Sequence, residues 1–145
     1  MDDKDRKILE LLRADGRLGY AEIGAAVGLA PSSVHDRVRK LERAGIIRGY
    51  RADVDLKQAG FPITAIVSLA LTPGSPTDIP GKVAELPLVE SCYSIAGDNS
   101  YALMIRAPST EDLEALLDTL RAKLEVNTRA TIVLSTPFEH RPVKA

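Results

Sequence analysis

Cysteine, histidine and aromatic residues are scarce in this 145-residue sequence. The single cysteine, Cys92, excludes an intrachain disulfide, and one cysteine with two distant histidines has no metal-ligand spacing. No apolar run approaches the length of a membrane span, and the charged start MDDKDRK has no apolar secretory segment. A Gly-rich phosphate loop is also absent from the sequence. We therefore expect a cytoplasmic protein without a cofactor, a metal or a membrane partner.

Charge is nearly balanced over the whole chain but uneven along it. The formal net charge is −1, yet residues 1–52 contain eleven Lys/Arg against eight Asp/Glu, and residues 53–145 contain eight against twelve. The apolar share of 45% is that of an ordinary globular protein. The more basic first part is the candidate for a polyanion partner, although a difference this small is weak evidence alone.

The first part of the chain contains three segments with helical periodicity. One begins near Asp2 and ends at Gly16, a second covers Tyr20–Val27, and a third opens with Pro31 and ends before Gly45. Two short helices, a turn and a third helix match a helix-turn-helix. The expected buried positions are Ile8, Leu11, Leu12, Ile23, Ala26, Val27, Val34, Val38 and Leu41. The β-rich segment 46–54 is expected to form a short hairpin or a strand, which would be the wing of such a domain.

The second part of the chain changes to alternating strands and helices. Strands are predicted at Ile63–Thr72, Val89–Ala96, Tyr101–Ala107 and Thr128–Ser135, and helices at Asp78–Leu86 and from Ser109 to Leu124. This βαββαβ order predicts a ferredoxin-like, ACT-like fold. We expect an α+β protein with a winged helix-turn-helix domain at 1–52, a linker at 53–62 and a second domain at 63–145.

The third helix carries the candidate DNA-binding surface. Its apolar stripe is expected to face inward, so that polar and basic residues lie on the opposite side and its flanks. Short polar side chains near the start of a recognition helix suit base edges, whereas basic ones further along suit phosphates. The candidates are Ser32, Ser33, His35 and Asp36 for bases, Arg39, Lys40 and Arg43 for phosphates, and Arg37 at the border of the apolar face. The same pattern also fits the solvated face of a small helical subdomain, and His35 fits an ordinary surface position equally well.

Five segments of the sequence resemble the feast/famine regulators, the Lrp/AsnC family. They are DRKILELLRADGR, EIGAAVGL and SSVHDRVRKLERAGIIRGYRADVD in the first part, and VESCYSIAGDNSYALMIRAPSTEDLEALL and TRATIVLS in the second. The resemblance implies a transcription regulator that binds double-stranded DNA and forms a homodimer or a higher homo-oligomer through its C-terminal domains. It also implies a small effector, usually an amino acid, which binds between those domains and shifts assembly or DNA affinity.

The resemblance places the effector loop at a turn near the middle of the second part. The implied effector residues are Gly97, Asp98, Asn99 and Ser100 in this turn, Tyr93 and Tyr101 beside it, and Thr131 and Val133 on the last strand. Ser100 departs from the family, which often has an acidic residue there that could hold an effector's ammonium group. The turn also has a plainer explanation, because Asp and Asn favour turns whatever the function.

Strand Ile63–Thr72 is apolar on both faces, and this predicts association. In a βαββαβ fold the two helices cover one side of the sheet. The other side would leave an apolar patch, extended by Cys92, Met104 and Val133, unless a second subunit covers it. We therefore expect at least a two-fold homodimer. Cys92 is expected to be a small buried hydrophobe rather than a redox sensor or a metal ligand.

Two other classes of function compete with a ligand-controlled regulator. An architectural DNA-binding protein without a ligand is kept open by Ser100. An enzyme on the βαββαβ fold would need a nucleophile, an acid–base pair or a metal set that converges on a pocket. The sequence offers none of these, so no enzymatic activity is expected.

Overall fold

The computed structural model describes residues 1–143, which divide into two compact units. One unit contains Met1–Asp53 together with residues 138–143, and the other contains Val54–Pro137. The predicted α+β class is confirmed, with three helices in the first unit and a four-stranded antiparallel sheet with two helices in the second.

The first unit is built on helices α1 (Asp3–Ala14), α2 (Tyr20–Val27) and α3 (Pro31–Arg43). Each has a local reason to begin where it does. The Asp2 carboxylate caps α1, the Glu22 carboxylate accepts the Gly19 N–H at the start of α2, and Pro31 occupies the first turn of α3. The core between the helices consists of Ile8, Ile23, Val34 and Val38, all fully buried.

Two predictions for the first unit are wrong. Ala26 is exposed, and Gly24 is buried in its place on the inner side of α2. No strand forms within residues 46–54. The amide groups of Ile46 and Ile47 both donate to the Leu41 carbonyl, so this segment begins by closing the end of α3 instead of pairing with itself.

The second unit has the predicted βαββαβ order. Its elements are β1 (Ile63–Leu71), α4 (Ile79–Val83), β2 (Val89–Ser94), β3 (Tyr101–Ala107), α5 (Thr110–Leu124) and β4 (Val126–Ile132), with the strands in the order β2-β3-β1-β4. Helix α4 is shorter than predicted and begins after its cap, Asp78. Strand β4 starts earlier than predicted because Glu125, in the left-handed region with φ 48°, turns the chain directly out of α5.

One side of the sheet forms the core of the second unit. Alternate residues of the central strands, such as Val67 and Leu69 on β1 and Leu103 and Ile105 on β3, are fully or almost fully buried against the helices. The other side, here called the open face, carries Ile66, which pairs with Met104 on β3 and with Thr131 on β4. Ile66 is 39% exposed, as expected for an apolar residue on the side without helices.

Cys92 corrects the predicted composition of the open face. It pairs with Leu103, a core residue, so its side chain lies on the helix side of the sheet. The residue as a whole is nevertheless exposed, because β2 is an edge strand of the sheet, while its sulfur is partly buried. The expectation of a buried cysteine is therefore wrong.

Candidate DNA and effector sites

The outward side of α3 presents the predicted DNA-binding residues to solvent. Val34 and Val38 are 0% exposed and Leu41 4%, which fixes the orientation of the helix. Seven of the eight predicted residues are exposed: Ser32, Ser33, His35, Asp36, Arg39, Lys40 and Arg43. No carboxylate lies in the first turn of α3, so the positive end of its dipole is available to a negatively charged partner.

His35 has neighbouring side chains on two sides. The Tyr20 ring, at the start of α2, meets the His35 ring edge-on, with centroids 5.3 Å apart and an interplanar angle of 70°. The Asp36 carboxylate lies 3.5 Å from Nδ1 of His35. Tyr20 was not among the residues expected from the sequence. A signal was available, because α2 is the first helix of the helix-turn-helix, and that helix can contact the DNA backbone.

Arg37 differs from the other basic residues of α3. Its Nη1 donates to the Asp2 Oδ2 and to the Asp5 Oδ1, each at 2.7 Å. Both carboxylates belong to the start of α1, where Asp2 is the cap and Asp5 completes the capping box. The backbone N–H of Asp5 and then the Arg37 guanidinium lower the pKa of Asp2 to about 2. Arg37 therefore ties α3 to α1.

Glu42 organises the far end of α3. The Tyr50 hydroxyl donates to Glu42 Oε1 at 2.9 Å, and the Arg39 guanidinium lies 3.7 Å from Oε2. Partial burial and the Glu42 carboxylate raise the pKa of Tyr50 to about 12. Arg39 keeps 62% of its side chain exposed, so this long contact does not withdraw it from solvent.

The predicted effector loop is a tight turn at one end of the sheet. Gly97 has φ 138°, a conformation that favours glycine. The Ile95 N–H donates to the Ser100 carbonyl, and the Ser100 N–H donates to the Leu69 carbonyl at 2.8 Å. The loop is thus anchored on β1 through backbone groups, while Asp98 is exposed.

The remaining predicted effector residues do not converge within one chain. Tyr93 on β2 and Thr131 on β4 both lie on the open face, but at opposite edges of the sheet. Three strand spacings separate these edges, which is about 14 Å. Tyr101 instead lies on the helix side, packed against the core. Val133, expected on the last strand, follows its end, although its N–H donates to the Thr64 carbonyl.

Neither a metal centre nor a reactive thiol is supported. Among residues 1–143, no group of three or more His, Cys, Asp or Glu side chains is placed to hold a metal ion. Partial burial of the sulfur raises the pKa of Cys92, which is the opposite of what a reactive thiolate requires.

Two known domains match this chain in the order of its two units. The AsnC-type helix-turn-helix domain matches residues 1–42, and the Lrp/AsnC ligand binding domain matches residues 64–143. The chain belongs to the Lrp/AsnC family of transcriptional regulators. The predicted family is thus confirmed, and with it a DNA-binding regulator rather than an enzyme.

Curated Lrp/AsnC relatives align over most of their length. The HTH-type transcriptional regulator LrpA of Mycobacterium tuberculosis is 40% identical over 142 residues, which cover 97% of this chain and 95% of the relative. LrpC of Bacillus subtilis is 38% identical over 118 residues, which cover 81% and 82%. Both are named as transcriptional regulators.

Solved structures of Lrp/AsnC proteins share the fold. A feast or famine regulatory protein of M. tuberculosis, complexed with L-methionine, has a TM-score of 0.94 at 40% identity and covers 98% of this chain and 97% of its own. A Neisseria meningitidis regulator, also in complex with L-Met, has a TM-score of 0.87 at 27% identity and covers 96% and 93%.

Membrane insertion has no support from the helices of this Lrp/AsnC protein. Within residues 1–143, none of them combines the length and the apolarity that a bilayer span requires.

Proposed function

We propose that α3 is the recognition helix and that its two halves have different roles. Ser32, Ser33, His35 and Asp36 contact base edges, and Arg39, Lys40 and Arg43 contact phosphates. The observation that carries this proposal is the buried stripe of Val34, Val38 and Leu41, which leaves the other seven residues exposed. Tyr20, on α2, contacts the His35 ring and so lies beside the proposed base-contacting half.

The two roles separate in a salt titration of DNA binding. Replacing Arg39 and Lys40 by Ala should weaken binding to all duplexes alike and reduce the salt slope by about 0.9 for each phosphate that is no longer neutralised. Replacing Ser33 or His35 by Ala should change the preferred sequence and leave that slope unaltered. Gel shifts on the DNA upstream of the protein's own coding region and on a random duplex measure both effects. Unchanged affinity of the Arg39/Lys40 variant at low salt would remove α3 from the phosphate contacts.

We further propose that two chains associate through the open face of the sheet. Ile66 is 39% exposed and Tyr93 is 56% exposed on this face. Large apolar side chains exposed together in this way are typical of a surface that a second copy covers. The pairing is a two-fold homodimer, the smallest assembly that covers the face. A two-fold axis parallel to the strands would bring the Tyr93 edge of one chain over the Thr131 edge of the other.

This arrangement supports an effector site made by two chains. Since Tyr93 and Thr131 lie at opposite edges of one sheet, only a second copy brings such residues together around one small molecule. Two family members of similar structure hold L-methionine. We infer that an amino acid is the effector class here too, and that it binds near the 97–100 turn and shifts assembly or DNA affinity.

Asp98 and Ser100 decide how an amino acid would be held. Asp98 is the one carboxylate in the 97–100 turn, because Ser100 stands where the family often has a second. Asp98 therefore holds the ammonium group in the proposed site.

DNA binding without any effector is the second candidate function, and Ser100 favours it. A thermal-shift panel of the common amino acids tests the choice, since a specific ligand raises the melting temperature as its concentration exceeds its Kd. No shift with any of them would favour the architectural function.

The proposed partner also indicates the compartment. Because chromosomal DNA is the proposed partner, and the curated relatives come from bacteria and archaea, we propose that the protein works in the cytoplasm.

A further inference from the structure

Arg37 occupies a position on α3 between the exposed face and the core. Its side chain is 31% exposed, whereas that of Arg39, two residues later, is 62% exposed. One nitrogen of its guanidinium donates to two carboxylates at 2.7 Å. A charge-assisted bond of this length at a partly buried site is a strong contact.

The same two carboxylates also form the start of α1. The Asp5 N–H donates to Asp2 Oδ1 at 2.8 Å, and the Asp2 N–H donates to Asp5 Oδ2 at 2.9 Å. Each carboxylate therefore uses one oxygen for the helix cap and the other for Arg37. Asp5 is the more enclosed of the two, with 13% of its side chain exposed against 55% for Asp2. Arg37 therefore joins α3 to the first turn of α1, and Asp5 is the more enclosed of its two partners.

The charge around Arg37 does not suit a phosphate contact. Two carboxylates against one guanidinium leave this cluster with a net negative charge. Beside it lies a depression of about 590 Å³, whose wall also contains Asp36, Lys40 and Met1 with its terminal ammonium group, so the wall adds no excess of carboxylates to the Arg37 cluster itself. A DNA phosphate that approached Arg37 would meet Asp2 and Asp5 at the same time, and their repulsion would offset the attraction.

We propose that Arg37 is a positioning residue of the recognition helix, which acts on DNA affinity through Asp5 and neutralises no phosphate. This inference rests on the DNA-binding role of α3 proposed above. Arg37 thereby has a different role from the other seven predicted DNA-binding residues of α3.

Replacing Asp5 by Asn gives a test in which the two possible roles of Arg37 change DNA affinity in opposite directions. Asn keeps an acceptor for the Asp2 cap but loses the charge that holds Arg37. If Arg37 positions α3, Asp5→Asn should weaken binding of the full chain to duplex DNA by roughly three- to tenfold. If Arg37 contacts a phosphate, removing a neighbouring negative charge should instead strengthen binding.

Asp3 provides a matched control on the same turn of α1. Its carboxylate is 96% exposed and bonds Arg6, so Asp3→Asn removes the same charge without touching Arg37. Binding by this variant should be unchanged or slightly tighter. Circular dichroism of both variants shows whether α1 is retained.

A double-mutant cycle and a salt series complete the experiment. With Arg37→Ala in place, the further change Asp5→Asn should no longer weaken binding, because the ion pair through which it acts is gone. The salt slope of Arg37→Ala should equal that of the unmodified chain, whereas Arg39→Ala should lose about 0.9 for its phosphate.

Tighter binding by Asp5→Asn, or a slope for Arg37→Ala reduced as in Arg39→Ala, overturns the positioning role alone. Failure of the unmodified chain to bind any duplex overturns the proposed function, and the positioning role with it.

Discussion

Gly24 is the residue at which the helix-turn-helix leaves no room for a side chain. A Cβ there would collide with the backbone oxygen of Leu29, the residue that follows the turn. The Leu29 N–H also donates to the Gly24 carbonyl at 3.0 Å, so the two backbones are held in contact. The spacing of α2 and α3 therefore depends on this glycine, and with it the presentation of the proposed recognition helix.

Gly24→Ala should destabilise the protein by about 1–3 kcal/mol through overpacking. We expect a cost above the lower end of this range, and so above the gain in helix propensity of about 1 kcal/mol, because the colliding atom belongs to the backbone and not to a flexible side chain. Gly16→Ala is the control, since a Cβ at Gly16 would make an ordinary 3.6 Å contact with the Tyr50 ring. Thermal unfolding followed by circular dichroism compares the two, and a Gly24→Ala protein as stable as Gly16→Ala would contradict the collision.

Asp98 is the residue on which the proposed effector contact can be tested. Asp98→Asn keeps the size and the turn preference of the side chain but removes its charge. We expect any amino acid that stabilises the unmodified protein to lose most of its thermal shift with this variant. Asn99→Asp is the matched control, because it leaves Asp98 in place and adds a charge one residue away. An undiminished shift with Asp98→Asn would place the effector's ammonium group elsewhere.

At the scale of elements, the start of α1 contains two carboxylates whose lowered pKa values make its stability depend on pH. Bonds from the Asp5 N–H and from Arg37 hold the pKa of Asp2 at about 2, and a bond from the Asp2 N–H and Arg37 also lower the pKa of Asp5. A carboxylate whose pKa is lower in the folded than in the unfolded state stabilises the fold above its unfolded pKa. That contribution disappears as the pH falls through the folded pKa.

Comparison with Asp2→Asn isolates this contribution. The unmodified protein should melt at a higher temperature than Asp2→Asn at about pH 6, and the difference should shrink between about pH 4 and pH 2. Melting curves of both proteins across this range measure the effect. A difference that stays constant with pH would show that Asp2 acts only as a neutral hydrogen-bond acceptor.

The elements also show what can be predicted from the sequence. The three helices of the first unit follow from the 3.6-residue period together with local stop signals such as Gly28 and Gly45, both with positive φ. The exposed face of α3 follows from the same period. The conformation of segment 46–54 could not be predicted in this way. Residues of high β-propensity form a strand only where a partner strand is available, and here the first amides of the segment donate to a carbonyl of α3.

Contacts between distant residues are the part of the site that a pattern does not show. The helical period places Arg37 at the border of the apolar face of α3, unlike Arg39, but it does not reveal which residues Arg37 contacts. Its partners lie 35 and 32 residues earlier in the chain. In the same way, strand register decides that Cys92 shares a side with Leu103, and register depends on the bulge between Val89 and Ser91.

At the scale of the whole molecule, the open face is the surface through which we propose that two chains associate. It lies on the side of the sheet without helices, and its central residue Ile66 pairs with neighbours on both sides. A regulator that binds a palindromic site needs two recognition helices, and a second copy on this face would supply the other one. Assembly, effector binding and DNA affinity would then depend on the same surface.

Ile66→Glu should convert the proposed dimer to a monomer, because a carboxylate at the centre of a two-fold interface meets its own copy without a compensating charge. Ala115→Glu, on the exposed side of α5, adds the same charge on the other side of the sheet and should leave the mass unchanged. Light scattering after gel filtration measures the mass of each variant. The monomer should also bind its own upstream DNA more weakly, since the second half-site is then no longer occupied at high effective concentration. If Ile66→Glu keeps the mass of the unmodified protein, the chains associate through another surface, and an effector site between open faces has to be abandoned as well.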